Sequence, residues 1–193
     1  MADTSSQQPT VYDYATPTQW RLAFNRTPKT TWFCTTANIP GITLGEAQYP
    51  TPMSDVIISG DKLTFETLNI TFLVDEELQN YRELWEWLVG MGSPVNHSQW
   101  SNVLTEGDGA IRQFGTADAD PRTKSTYEES NLYSDATLIV YNSKNIPKVN
   151  VQFKNMFPTS LSSLEYTQEA SDVEYFKASA TFRYLYYEFE TSN

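Results

Sequence analysis

Residues 32–45, "WFCTTANIPGITLG", run from a strand-like segment straight into Asn38-Ile39-Pro40-Gly41. Proline fixes its own φ and lacks a donor, and glycine accepts conformations that other residues avoid, so these four residues bend the chain sharply. No catalytic group stands beside the bend. Upstream, Trp20, Leu22 and Phe24 alternate with Arg21, Ala23 and Asn25, the period of a half-buried strand. Asn25–Lys29 reads as a turn and Thr31–Thr36 as a second strand, the two strands forming a hairpin. Downstream, Pro50 and Pro52 bracket Thr51, so Gln48–Met53 reads as an extended edge or loop. Val56–Ser59 is a short strand ended by Gly60-Asp61-Lys62, and Leu63–Val74 is strand again. Leu63 and Phe65 share one face and Leu68, Ile70 and Phe72 the other, which calls for a bulge or sharp twist near Thr67.

Asp75-Glu76-Glu77 reads as a helix start, with Asp75 as N-cap and two further acids in the first turn. Leu78, Tyr81, Leu84, Trp85, Leu88 and Val89 recur at helical spacing, and Gly90-Met91-Gly92 ends the helix. Core packing is the first reading of Tyr81 and Trp85. Periodicity disappears from Ser93 to Asp135, a long excursion rich in Gly, Asp, Ser and Thr. Strands resume at Thr137–Tyr141, turn through Asn142–Pro147 and return with Val149, Val151 and Phe153 in alternation. A last, long strand, Glu174–Glu190, sets Phe176, Ala178, Ala180, Phe182, Tyr184 and Tyr186 against a more polar face with Lys177, Ser179, Thr181 and Arg183. The expected fold is mainly β: an antiparallel sandwich or barrel with one flanking α-helix. Residues 1–18, rich in Ser, Gln, Thr and Pro, read as a flexible arm, and 19–193 as a single domain with a loop insertion at about 93–135.

Composition removes several function classes. The 193 residues carry 13 Lys and Arg against 24 Asp and Glu, a net charge of −11 that argues against a nucleic-acid clamp, although an acidic wall could let nucleic acid slide past. Cys34 is the single cysteine, so no internal disulfide framework exists, and it reads as a small packed hydrophobe. The first residues have neither a basic region nor an apolar run, and no stretch of 18 apolar residues occurs, so neither a signal peptide nor a membrane span is expected. His97 is the sole histidine and has no metal-ligand spacing around it. Glu106–Gly109, "EGDG", lacks the regularly spaced acids of a calcium loop. No nucleophile elbow or phosphate-cradling glycine loop is present. Aromatics are abundant, 12 of them Tyr, and suit either a core and subunit interface or a sugar-stacking platform built on Trp20, Trp32 or Trp100.

The segment order resembles the tail tube family of contractile-tailed bacteriophages, including its tube-like initiator and terminator rings. The resemblance rests on "WFCTTANIPGITLG", on "ISGDKLTFETLNITFLVDEELQNYRELWEWLVGMG" from Ile58, and on "VQFKNMFPTSLSSLEYTQEASDVEYFKASATFRYLYYEF" from Val151, with its Phe157-Pro158-Thr159 segment. It covers about Trp20–Gly92 and Thr137–Phe189. The long excursion exceeds what a minimal tube subunit needs and leaves open whether the chain is the repeating subunit or a terminal ring.

This resemblance implies a structural virion protein with no active site and no cofactor. Six copies would join sheets edge to edge in a ring around a channel, and rings would stack on neighbouring tube, baseplate or terminator rings inside a sheath. DNA and a tape-measure protein would only pass through, and the chain would assemble in the bacterial cytoplasm before residing in the virion tail. Ile39, Pro40 and Gly41 then redirect the chain so that Thr43, Tyr49, Pro50 and Pro52 can lie on a neighbour, although a purely intramolecular corner is an equal reading. Glu66, Asn69, Lys177, Ser179, Thr181 and Arg183 are the expected channel wall. The alternatives are a monomeric carbohydrate-binding β-sandwich and, more remotely, a glycan hydrolase using two unassigned carboxylates.

Overall fold

The computed structural model describes residues 14–92, 94, 132–168 and 175–191. In chain order it contains β1 (Trp20–Phe24), α1 (Pro28–Phe33), β2 (Cys34–Ala37), β3 (Ile42–Pro50), β4 (Asp55–Phe65), β5 (Leu68–Leu73), α2 (Gln79–Gly92), β6 (Ser134–Tyr141), β7 (Pro147–Leu161), β8 (Lys177–Arg183) and β9 (Tyr186–Thr191). The fold is mainly β, all described pairings are antiparallel, and the described strands do not close into a barrel. Two layers face each other. One runs β1-β6-β7-β9 and the other β7-β8-β5-β2, with β7 shared between them.

Sharing works because β7 bends midway. Asp135 on β6 faces both Lys154 and Asn155, an extra residue that kinks the strand. Asn155 sits at φ 52, a left-handed conformation that asparagine tolerates. Its N–H donates to Asp135 Oδ1 at 3.0 Å, and Lys154 Nζ lies 2.9 Å from Oδ2. The first half of β7 pairs with β6 and β9, the second half with β8. The long last strand expected from the sequence breaks at the same corner: β8 ends at Arg183, β9 starts at Tyr186, and Leu185 N–H donates to Lys154 O at 2.9 Å. The break shifts the alternation, so Tyr184 remains buried whereas Tyr186, expected inward, is exposed.

Leu22, Phe24, Ile70, Phe72, Phe153 and Phe182 meet in the shared core. Each such buried side chain contributes about 1.5–3 kcal/mol. Helix α2 adds Leu84 and Trp87, and Trp87 Nε1 donates to Leu132 O at 2.9 Å. Trp85, expected in the core, is exposed; the buried face is rotated toward Trp87. The helix also starts later than expected. Leu78 has φ 56, so Asp75-Glu76-Glu77 forms a preceding turn, outside the helix. Asn80, fully buried, organises the start: Nδ2 donates to Leu73 O at 2.7 Å, and Oδ1 accepts from Tyr81 N at 2.8 Å and Asp75 N at 3.3 Å.

The expected first hairpin does not form. Pro28 opens α1, where its missing N–H costs nothing, and the Thr30 hydroxyl donates to Asn80 O at 3.4 Å, so tertiary contacts override the β preference of the threonines. β1 pairs with β6 and β2 with β5. There are thus two described helices rather than the one expected. Of the expected arm only 14–18 is described, and of the excursion only 94 and 132–135; His97, Trp100 and Glu106–Gly109 lie outside the described residues. The excursion ends in structure, with Leu132 buried and β6 beginning at Ser134 instead of Thr137.

Candidate assembly surfaces

The Asn38–Gly41 bend is tied to the gap between β4 and β5. Asn38 Oδ1 accepts from Asn69 N at 2.6 Å, and its Nδ2 donates to Thr67 O at 3.2 Å. Gly41 O accepts from Glu66 N at 3.0 Å, and Gly41 N donates to Glu66 Oε2 at 3.3 Å. Pro40 is buried, and its carbonyl accepts from the Tyr187 hydroxyl at 3.0 Å. Tyr187 in turn packs edge-on against Phe65, with ring centres 5.7 Å apart. The phase change seen near Thr67 is therefore a strand boundary under this anchor, not a bulge within one strand.

From this root β3 and β4 leave the two layers as a separate two-stranded sheet, paired from Ile42 opposite Phe65 to Pro50 opposite Asp55. Gln48–Pro50, expected as loop or edge, belongs to this ladder, and Gly60-Asp61-Lys62 lies within β4 instead of ending it. Here the register shifts between Leu44 and Glu46. Gly60 makes room for the crossing, since a Cβ on it would lie 2.6 Å from Gly45 O.

All of β3 is exposed. The pairs Ile42/Phe65 and Leu44/Leu63 set apolar surface near the root, and Ala47/Ile58 and Tyr49/Val56 set more near the end. Tyr49 is 62% exposed, Ile57 66% and Met53 96%. An isolated two-stranded hairpin is marginal in water, and an exposed apolar one marks a contact surface. Thr43, Tyr49, Pro50 and Pro52 are all exposed along it, Ile39 is half-exposed beside its root, and Pro40 turns inward as an anchor.

A second surface is the outer face of the β8-β5-β2 layer. Asn69 pairs with Thr181, Thr71 with Ser179 and Leu73 with Lys177, which brings Asn69, Lys177, Ser179, Thr181 and Arg183 onto one face. The Thr181 hydroxyl donates to Asn69 Oδ1 at 3.0 Å, and Ser162 Oγ accepts from Ser179 N at 2.9 Å. Glu66 does not join them, its carboxylate being turned to Gly41. The face is thus hydroxyl- and amide-lined, with the cations Lys177 and Arg183 at its two ends. Thr71 belongs to the same face, opposite Ser179, although only Asn69 of this strand was expected there.

The described residues assemble no other site. Trp20 faces the core side of β1, whereas Trp32 lies on the opposite side under the Arg21 guanidinium, 5.0 Å from its ring, so the two form no common stacking platform. Among the described residues no three His, Cys, Asp or Glu side chains gather as metal ligands, and no helix is long and apolar enough to cross a membrane. Burial pushes the Cys34 thiol up to about 12, which makes it a poor nucleophile.

These features define a β protein whose surfaces suit contact with other chains. Residues 8–190 match the phage tail tube protein family. The chain belongs to that family, whose members are structural tube proteins and not enzymes. The same fold occurs in the anti-feeding prophage tube-terminating cap (14% identity, TM-score 0.52, 100% of both chains covered). It also occurs in the sheath/tube terminator of the extracellular contractile injection system PVC (11% identity, TM-score 0.55, 93% of this chain and 99% of that one). A chain of the PVC sheath-tube complex matches at 13% identity and TM-score 0.55, over 99% of this chain and 100% of that one. No curated protein matches by sequence.

Proposed function

We propose that this chain forms a hexameric ring of, or at the end of, the inner tube of a contractile tail, with 19–193 as the ring-forming domain, 1–18 as an arm and 93–135 as an insertion. The observation that carries this reading is the β3–β4 hairpin, which exposes apolar side chains on both strands and, among the described residues, is anchored at its root. Such a hairpin is stabilised by covering it, and in a repeating assembly the cover is another copy. The edges at β2 and the second half of β7, unpaired among the described residues, suit head-to-tail joining of neighbouring sheets, which would turn the Asn69–Thr181 face toward a channel. Hydroxyls and amides there would let DNA and a tape-measure protein pass without the dense cation array that holds phosphates. The likeness to tube and terminator chains of contractile systems favours a sheath outside and tube, baseplate or terminator rings above and below. The chain would then assemble in the bacterial cytoplasm and reside in the virion tail.

The test is mass in solution by light scattering with negative-stain electron microscopy at rising concentration. Six-fold rings or tubes are the expected result, and rings that never stack place the chain at a tube end. A chain that remains monomeric at every concentration, alone and with a partner ring as template, would refute the reading.

A further inference from the structure

An apolar groove of about 350 Å³ opens where the two layers part, lined by Ala15, Pro17, Trp20, Ala37, Ile39 and Val140 among others. Its position relative to the hairpin is informative. Ala37 and Ile39 immediately precede the hairpin root, whereas the hairpin's own uncovered side chains, Tyr49, Met53 and Val56, lie at its far end. Nine residues of strand span about 30 Å at 3.3 Å per residue, and the ladder is paired throughout, so the far end cannot fold back into its own groove. The chain carries an apolar projection and an apolar recess too far apart to meet within one molecule.

Charge agrees with this pairing. The β6–β7 turn sits at one end of the groove, since Tyr141 N–H donates to Gln19 O at 3.0 Å and both Gln19 and Val140 line the groove. Lys144 and Lys148, in and just after that turn, are exposed and have no ion pair among the described residues. Glu46 and Asp55, on the outer half of the hairpin, are likewise exposed and unpaired among the described residues.

We propose that the hairpin end of one copy seats in the groove of a second copy, with Tyr49 and Met53 against Trp20 and Val140, and Glu46 and Asp55 beside Lys144 and Lys148. This rests on the assembly reading above and adds the seat. Because projection and recess are different surfaces, the contact is heterologous: each copy both gives and receives, and the contact repeats in one direction. Stacked copies would be spaced on the scale of the hairpin's length.

The test measures self-association of the full chain by sedimentation velocity and negative stain, with circular dichroism and melting confirming that each variant folds. Reversing the exposed lysines, Lys144→Glu with Lys148→Glu, should weaken association about tenfold, the scale of two exposed ion pairs turned repulsive. Adding Glu46→Lys and Asp55→Lys to the same chain should restore it, which a merely structural role for the lysines would not produce. An end variant, Tyr49→Asp with Met53→Asp, and a plugged groove, Ala15→Trp, should each form no stacks alone. Mixed, they should join once, through the intact hairpin of one and the intact groove of the other, and stop. If the plugged variant stacks like the wild type while the end variant does not, the hairpin has a different seat and this proposal fails, with the tube reading intact. If the wild type does not associate at any concentration, alone or with a partner ring as template, both fail.

Discussion

Replacing Gly60 by Ala should loosen the hairpin without unfolding the domain. The added Cβ would stand 2.6 Å from Gly45 O and 2.8 Å from Gly45 C, both backbone atoms that cannot rotate away. One strand has to move, and overpacking of this kind costs about 1–3 kcal/mol. In the core such a penalty would be shared among many contacts, but here it falls on a two-stranded sheet that is marginal by itself. At 1.4 kcal/mol per factor of ten, it raises the open population about 5- to 150-fold. Amide hydrogen exchange is the assay. Amides along Ile42–Tyr49 and Asp55–Phe65 should exchange faster by that factor, while those of β5 and β8 keep their wild-type rates. Gly45→Ala is the internal control, because among the described residues its Cβ would meet Lys62 O alone, at an ordinary 3.5 Å. Equal exchange in both variants, or faster exchange of β5 and β8 in Gly60→Ala, would refute the claim that the crossing is tight and the hairpin independent.

Three further outcomes are expected. Asn80→Ala leaves Leu73 O and Tyr81 N without their buried partner and should cost about 2–4 kcal/mol in urea unfolding; a loss under about 0.5 kcal/mol would show that water replaces the side chain. Burial raises the Cys34 thiol from 9.0 to about 12, so the folded state favours the protonated form: its contribution is complete below pH 9 and lost as pH rises toward 12. Cys34→Ala should flatten that alkaline loss of stability, and wild-type Cys34 should label far more slowly with a thiol reagent at pH 8 when folded than when denatured. Ser179→Lys with Thr181→Lys should slow DNA delivery by virions whose tubes are well formed, and unchanged infectivity would remove this face from the channel wall.

Elements whose signal is local were legible in the sequence. The alternation at Trp20–Phe24 and at Lys177–Arg183 gave both strands and their buried faces, because period-two patterning survives whatever the strand pairs with. Pairing itself was not legible. Nothing in Trp20–Phe24 says that its partner is Ser134–Tyr141 and not the next segment along. Gly60-Asp61-Lys62 misled because those residue types end strands as readily as they permit a tight crossing, and only the opposing Gly45 distinguishes the two. The three acids at Asp75–Glu77 resembled a helix start, but the left-handed Leu78 that delays the helix depends on the buried Asn80. Asn69 on β5 and Lys177, Ser179, Thr181 and Arg183 on β8 share one face, as alternation along the two strands implies. Glu66 leaves that face because the strand boundary beside it is held by the distant Asn38 and Gly41, which alternation along β5 does not reveal.

The pairing of β1 with β6 also sets an order of events at the ribosome. The hairpin closes on neighbours in sequence and can form within about 1–10 μs of its emergence. The groove needs Leu138 and Val140, which follow Phe65 only several seconds later at about 5–20 residues per second. A nascent chain therefore completes the segment of its projection well before that of its recess, and if the proposed seating holds, two growing chains could not yet interlock. On the proposed seating, only translation past β6 would let a chain receive a neighbour as well as offer its own hairpin.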